Sequence, residues 1–385
     1  MKINTFFIAV IIFSGLFSSG QEDNLKKIMV LKNNNPVLNF QYQYLGFPDS
    51  VNTPELAGLK KYVLSKLSLK VHSDPEIFFE LMDWVRKQWK HNGWNAAPDT
   101  LTSLDILKNA REDGQEYRCV EYGIVLNDIL KSFGYPARII GLKNANVAYG
   151  GAGMGHVATE VWSNKYQKWI FLDPQFGIYA KYAGKPLNIF DIYRLKKKNK
   201  FDEIEFIDAG TNLPGKNYGK DFLSNYLGYM DISLKRNGLS YSLVLKMEGE
   251  NEYLTFQGFP AGNVIFTADA DDLYFSINQT MVLIGFTEKE KDRCMKKYSE
   301  LNIRSAKNFN KNMALFAAQP DFELTFDNNM PWFDHYIVKI NDSLVPVRNG
   351  KCHIHLKNGL NTLEAVAVNQ SDIEGIPTVI NIKYD

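Results

Sequence analysis

A cysteine, a histidine and an aspartate follow one another along the chain as Cys119, His156 and Asp173. Each sits in local sequence that gives it a chemical task. Cys119 comes after a turn at Gly114 and opens residues 120–133, where Tyr122, Leu126, Ile129 and Phe133 recur at helical spacing until Gly134 and Pro136 end the pattern. The cysteine is therefore expected on the first turn of a helix. Unpaired N–H groups and the positive end of the helix dipole stabilise a thiolate there, and a thiolate attacks carbonyl carbon. Residues 156–162 and 168–173 are rich in strand formers, and the polar residues 163–166 between them read as a turn. A turn centred between Asn164 and Lys165 would set His156 directly opposite Asp173, with Cβ atoms roughly 4.5–5.5 Å apart. In that arrangement Asp173 fixes the imidazole tautomer, and His156 takes the thiol proton and later returns it to a leaving amine.

Taken singly, a cysteine at a helix start is ordinarily packing, and a histidine on a strand is ordinarily a satisfied core or edge residue. Taken together, the three residues favour a catalytic site, with a degenerate, inactive copy as the alternative. The segments Tyr117-Arg-Cys119-Val-Glu-Tyr-Gly, Phe133-Gly-Tyr-Pro-Ala-Arg138, Gly155-His156-Val-Ala-Thr-Glu-Val-Trp and Lys168-Trp-Ile-Phe-Leu-Asp173-Pro resemble, in order and spacing, the transglutaminase-like branch of the papain-type cysteine enzymes. The resemblance runs over residues 74–177. It implies an α+β fold, a papain-type core of helices packed on an antiparallel sheet. It also implies catalytic roles for Cys119, His156 and Asp173 in acyl transfer through a thioester, without a cofactor or a metal. Many members carry glycine where Arg118 stands here, so the oxyanion site beside the cysteine is expected to differ. An upstream aromatic or amide side chain often supplies a second oxyanion donor in the family; Trp94 and Asn95 are the candidates here.

Outside this zone the sequence mostly excludes. The 385 residues suffice for two or three domains, and 44 Lys plus Arg against 43 Asp plus Glu leave a net charge of +1. Such a balance gives no reason to expect nucleic acid or an anionic membrane as partner, and the basic run Lys196-Lys-Lys198 with Lys200 reads as a solvated face. Residues 1–20 have the pattern of an export signal, with Lys2, an apolar run over 6–13, and Ser18 and Gly20 before a cleavage point. The apolar run is too short to span a membrane, so a cleaved leader and a periplasmic or extracellular location are expected, with no transmembrane anchor. Only Cys119, Cys294 and Cys352 are present. A Cys294 to Cys352 bridge that leaves Cys119 free fits an exported chain, although sequence alone does not establish it.

Three zones follow: the leader at 1–20, a catalytic domain with an N-terminal extension at 21–227, and a β region at 228–385. In the second zone, residues 40–45 read as a strand, 54–67 as a helix, 73–76 as a capping box before a core helix, and 104–110 as a short helix. The third zone carries strand patterns at 241–245, 264–268, 281–286, 336–340, 352–356, 362–368 and 378–384, which suggest one or two immunoglobulin-like sandwich modules able to contact a polymer or protein. The glycine-rich stretch 149–155 lacks the ending of a phosphate loop and reads as a flexible rim beside His156. His353 and His355 share a strand face without further metal ligands, and Asp269, Asp271 and Asp272 read as an exposed turn. The expectation for the whole chain is an exported bacterial-type enzyme that hydrolyses peptide, protein or cell-wall amides through a Cys119 thioester. Two alternatives stand beside it: a protein-glutamine transglutaminase, and an inactive binding protein.

Overall fold

The computed structural model describes residues 26–215 and 217–385, so the expected leader lies outside the described residues. Strand β1 (Ile28–Asn33) leads to four helices, α1 (Pro54–Lys66), α2 (Glu76–Arg86), α3 (Ser103–Glu112) and α4 (Cys119–Ser132). Next come β2 (Ala137–Lys143), β3 (Gly155–Ser163), β4 (Lys168–Asp173), β5 (Ile178–Tyr182), β6 (Lys185–Pro186) and α5 (Ile189–Lys197). The chain continues with β7 (Glu205–Asp208), β8 (Leu213–Pro214), β9 (Tyr229–Arg236), β10 (Leu239–Lys246), β11 (Thr255–Phe256), β12 (Phe259–Pro260) and β13 (Val264–Thr267).

A ten-stranded sheet runs β13-β10-β9-β2-β3-β4-β5-β7-β8, with β6 added beside β5, and only its β10–β13 pair is parallel. Alternation along β4 assigns its two faces: Ile170 and Leu172 enter a core with Leu59, Phe78, Leu81 and Ile106 from α1, α2 and α3, whereas Phe171 meets Ile189 and Ile192 of α5 on the other side. Helix α4 lies between the other helices and the sheet, which is why Val125, Leu126, Ile129 and Leu130 are all fully buried. Its approach to β3 depends on Gly123, where a Cβ would come within 2.8 Å of Val157 Cγ1. Burial of these side chains contributes roughly 1.5–3 kcal/mol each. Arg138 on β2 and Glu160 on β3 form a buried pair at 2.6 Å that is fully occupied. The carboxylate also accepts from Ile189 N and Tyr274 Oη, and the guanidinium stacks 4.2 Å over Trp169 and donates to Leu273 O. Such complete pairing offsets the cost of burying two charges.

The rest of the chain is β14 (Thr280–Phe286), α6 (Glu288–Glu300), α7 (Ala306–Phe316), β15 (Asp321–Asn328), β16 (Phe333–Ile340), β17 (Ser343–Leu344), β18 (Lys351–His355), β19 (Gly359–Asn369) and β20 (Thr378–Tyr384). A five-stranded sheet, β1-β20-β19-β16-β17, and a three-stranded sheet, β14-β15-β18, enclose Val282, Leu324, Val338, Ile354, Leu363 and Ile380 in one sandwich core. The α+β core followed by further β sheets is thus as the sequence suggested.

Several details differ from the sequence reading. The boundary placed at 227/228 falls inside the large sheet, because β9 pairs with β2 and carries β10 and β13 with it. Strand β1, from the N-terminal extension, pairs with β20 in the sandwich. Helices α6 and α7 interrupt the expected all-β region between β14 and β15. Residues 41–45 form a 3₁₀ turn rather than a strand; Gly46 turns the backbone at φ 66°, and Tyr44 and Leu45 pack beneath the sheet. The motif at 73–76 is no capping box: α2 has no side-chain N-cap bond, and Asp74 accepts from Ser163 Oγ at 2.5 Å and Lys165 N at 3.2 Å, pinning the β3–β4 turn instead. All three cysteines are free, Cys352 buried in the sandwich and Cys294 on α6 against Glu290. His355 and His353 face the carboxylates of Asp321 and Glu323 on β15, at 2.7 and 3.8 Å.

Candidate active site

Arg118 is the N-cap of α4 and Cys119 its first residue. Helix geometry leaves the Cys119 N–H without an intrahelical acceptor. Arg118 has ordinary extended dihedrals, φ −74° and ψ 174°, so the position needs no glycine. Its guanidinium folds back on the buried Glu121, donating at 2.7 and 3.3 Å, while its N–H donates to the same carboxylate at 3.0 Å. Glu121 also accepts from Ala97 N at 3.1 Å, so one carboxylate joins the helix start to the loop over 87–102. That bond pattern holds the Arg118 charge and raises its pKa further.

His156 and Asp173 meet, though not through the register anticipated. Trp162 pairs with Trp169 and Ser163 with Lys168, which centres the turn between Lys165 and Tyr166. The difference amounts to two positions, so every side chain keeps its face and only the pairing changes from direct to diagonal. Diagonal neighbours lie roughly 7–8 Å apart at Cα, a gap an imidazole and a carboxylate bridge together. His156 Nε2 stands 2.7 Å from Asp173 Oδ2, with the two side chains 3% and 0% exposed. Burial alone would lower the imidazole pKa; the Asp173 charge and hydrogen bond, with the Cys119 side chain, reverse this and raise it to about 10. The other ring nitrogen, Nδ1, is left for the thiol.

Asp173 is held from all sides. Tyr218 Oη donates to Oδ2 at 2.5 Å, and the Gln175 and Phe176 N–H groups donate to Oδ1 at 3.1 and 3.4 Å. Burial and the adjacent carboxylate push the Tyr218 phenol well above its ordinary pKa, so it remains a donor. Phe222 stands edge-on to His156 with centroids 4.9 Å apart, and Tyr226 lies at 5.8 Å. Sequence reading missed Tyr218, Phe222 and Tyr226, which come from a single π-helical turn (Tyr218–Phe222) and the 3₁₀ turn after it (Leu223–Tyr226), both too short to show a periodic signal.

An open cavity of about 680 Å³ joins Cys119 and His156 to Arg118, His91, Gln175 and the glycine-rich rim at Gly153 and Gly155. Trp94 stands at its mouth, 89% exposed. Asn95 does not reach it; its Nδ2 donates to Glu116 O at 2.6 Å and braces the strand-like approach to Cys119. His91 of that loop also lines the cavity, tied to Tyr117 by a backbone bridge, and burial and the charge on His156 lower its pKa. Trp84 and Trp89 belong to the core. Among the described residues no group of three or more His, Cys, Asp or Glu side chains is placed to hold a metal ion.

This arrangement can ionise a thiol against an imidazole, offer it to a carbonyl carbon, and return a proton to a leaving group. Residues 63–174 match the transglutaminase-like superfamily. Two solved structures are similar to the chain. One, from Cytophaga hutchinsonii, is described as "a Putative Cysteine Protease": 12% identity over 36% of this chain and 43% of that one, with a TM-score of 0.27. The other is red sea bream transglutaminase: 10% identity over 94% of this chain and 77% of that one, with a TM-score of 0.23. The chain thus spans less than half the length of the first. No curated protein sequence matches it.

Proposed function

Since residues 63–174 form a transglutaminase-like core, we propose that this chain is a cysteine-dependent acyl-transfer enzyme that hydrolyses amide bonds. The observation that carries the reading is the chain of contacts from Tyr218 through Asp173 to His156, ending at Cys119. Cys119 Sγ attacks the amide carbonyl carbon, and the Cys119 N–H stabilises the oxyanion at the start of α4. The His156 imidazolium protonates the nitrogen as the carbon–nitrogen bond breaks, and the amine leaves. Water then attacks the thioester while His156 accepts its proton, releasing the acid and restoring the thiol. Asp173 keeps Nε2 protonated throughout, and Tyr218 with the two backbone N–H groups fixes the carboxylate in place. The leader pattern at residues 1–20 supports action outside the cytoplasm, on peptide, protein or cell-wall amides.

The experiment is partition between water and amine. A hydrolase has no groove holding an amine in attack geometry, so millimolar cadaverine should barely divert product. A positioned amine competes at far below water's concentration, since effective molarities reach about 10⁵ M or more. Free acid as the main product supports hydrolysis. Dominant amine adduct that disappears in Cys119→Ser establishes the transglutaminase alternative, and rapid substrate binding without turnover establishes the binding protein.

A further inference from the structure

The cavity wall also carries an ion pair with no part in the chemistry above. Asp231 on β9 is the direct cross-strand partner of Gly141 on β2, and Lys143 follows two residues later on the same face. This is the face that α4 covers further along, where Gly123 rests on Val157; in front of Cys119 it is bare. The floor is made by glycine. A Cβ on Gly141 would come within 2.5 Å of Asp231 Oδ2, and one on Gly155, opposite Lys143, within 2.8 Å of Phe256. Lys143 Nζ bonds Asp231 Oδ2, and both side chains are only 13% exposed. The aromatic rings of Tyr253 and Phe256 stand 5.9 and 5.7 Å from the ammonium.

A pair so largely withdrawn from water is costly unless each charge completes its hydrogen bonds. Neither does so among the described residues. The ammonium has three donors and uses one, and the carboxylate's second oxygen receives none. Burial lowers the Lys143 pKa to about 8, which leaves it charged at neutral pH. The other cations of the cavity wall are already committed, Arg118 to Glu121 and His156 to Asp173. Spare donors beside a spare acceptor, with no net charge, complement neither a simple anion nor a simple cation, each of which would meet one repulsive partner. They complement a group that carries both signs on adjacent atoms.

We propose that Lys143 and Asp231 form a recognition subsite for an α-amino-carboxylate head group, borne at the free end of the amide substrate that Cys119 attacks. The carboxylate bonds Lys143 and the ammonium bonds Asp231, while Phe256 covers the head group from one side. The cavity volume exceeds that of a free amino acid, leaving room for the amide toward Cys119. This inference rests on reading the cavity as the substrate cleft.

Binding is measured by calorimetry on the full chain carrying Cys119→Ala, so that the result does not depend on turnover. The probes are L-norleucine, hexanoate and pentylamine, which differ chiefly in charge, and γ-glutamylbutylamide, which carries the same head three carbons from an amide. L-Norleucine should bind at least about tenfold more tightly than the two singly charged probes, and γ-glutamylbutylamide more tightly still. Lys143→Met and Asp231→Asn should each remove the preference, and the exchanged pair Lys143→Asp with Asp231→Lys should restore part of it. Equal binding of the three small probes, no binding of L-norleucine, or a preference that survives both single variants would overturn the proposal; weaker binding of γ-glutamylbutylamide than of L-norleucine would overturn its link to an amide. Iodoacetamide labelling of wild-type Cys119 reports separately on the cysteine chemistry, so failure of the subsite and failure of the enzyme reading are told apart.

Discussion

Replacing Asp173 by asparagine probes the centre of the account, and the structure sets the size of the effect. Asp173 accepts four hydrogen bonds: His156 and Tyr218 on Oδ2, and two backbone N–H groups on Oδ1. Asparagine has one oxygen to give. If the oxygen stays with the backbone N–H groups, the amide NH₂ faces His156 Nε2 and requires that nitrogen to be bare, which moves the proton to Nδ1 and removes the base from the thiol. If the amide is reversed, three N–H groups confront each other. Either choice leaves a buried donor unpaired, at a cost of about 1–3 kcal/mol. The larger consequence is electrostatic. The His156 pKa is raised to about 10 with Asp173 as its main support; without the carboxylate, burial pulls it back toward the ordinary value of 6.5. That is roughly a 10³-fold change in the ratio of imidazolium to imidazole. Alkylation of Cys119 by iodoacetamide at pH 6, followed by intact mass, should therefore slow by about 10²–10³ in the variant. The raised pKa also fixes the sign of a stability effect: it stabilises the fold fully below pH 6.5 and is lost as pH climbs through about 10. The Tm difference between wild type and variant should shrink across that window. An alkylation rate at pH 6 within about threefold of wild type would refute the assignment of Asp173 as the support of His156.

Tyr218→Phe keeps the ring among Phe176, Phe206 and Phe222 but leaves the buried carboxylate one bond short, so urea unfolding should report a loss of about 1.5–3 kcal/mol. An unchanged midpoint would show that Tyr218 does not brace Asp173. Glu160→Gln strands the Arg138 guanidinium in the core and should cost about 3–5 kcal/mol, read in the same assay; a loss below about 1 kcal/mol would mean that the pair is not sealed from water. A chain ended at residue 227 loses β9, β10 and β13 and bares the β2 edge, so it should fail to unfold cooperatively by heat; a sharp transition would show that the sheet's seven remaining strands, β2 to β8, suffice.

What the sequence displayed and what it hid divide along physical lines. Helix α4 was legible because its periodicity, the helix-ending Gly134 and Pro136, and its buried face all agree, and the β3–β4 hairpin because strand formers flank a polar turn. The pairing of His156 with Asp173 survived an error in the turn because a two-residue slip preserves faces. The rest of the site depends on long-range placement. Tyr218 approaches Asp173 from 45 positions away, out of a single π-helical turn. Asp231 did leave a trace, an acid at an inward position of an apolar strand, Tyr229-Met-Asp231-Ile-Ser-Leu234, and so did Lys143 at the end of another. The boundary was misplaced because alternating strands look alike whichever sheet they join. Helices α6 and α7 have cap residues, Thr287 and Ser305, but α6 buries only Glu290 and α7 buries no side chain, so no buried apolar face marks either of them in the sequence.

The central claim is that amide cleavage passes through an acyl group on Cys119, and intact-mass measurement during turnover of an amide substrate tests it most directly. In the Asp173→Asn variant, where both steps slow, the account predicts a mass increase equal to the acyl group, mapped to Cys119 and discharged as free acid, with no adduct and no product in Cys119→Ala. Product formation that persists undiminished in Cys119→Ala, or an acyl group carried by any other residue, would contradict it.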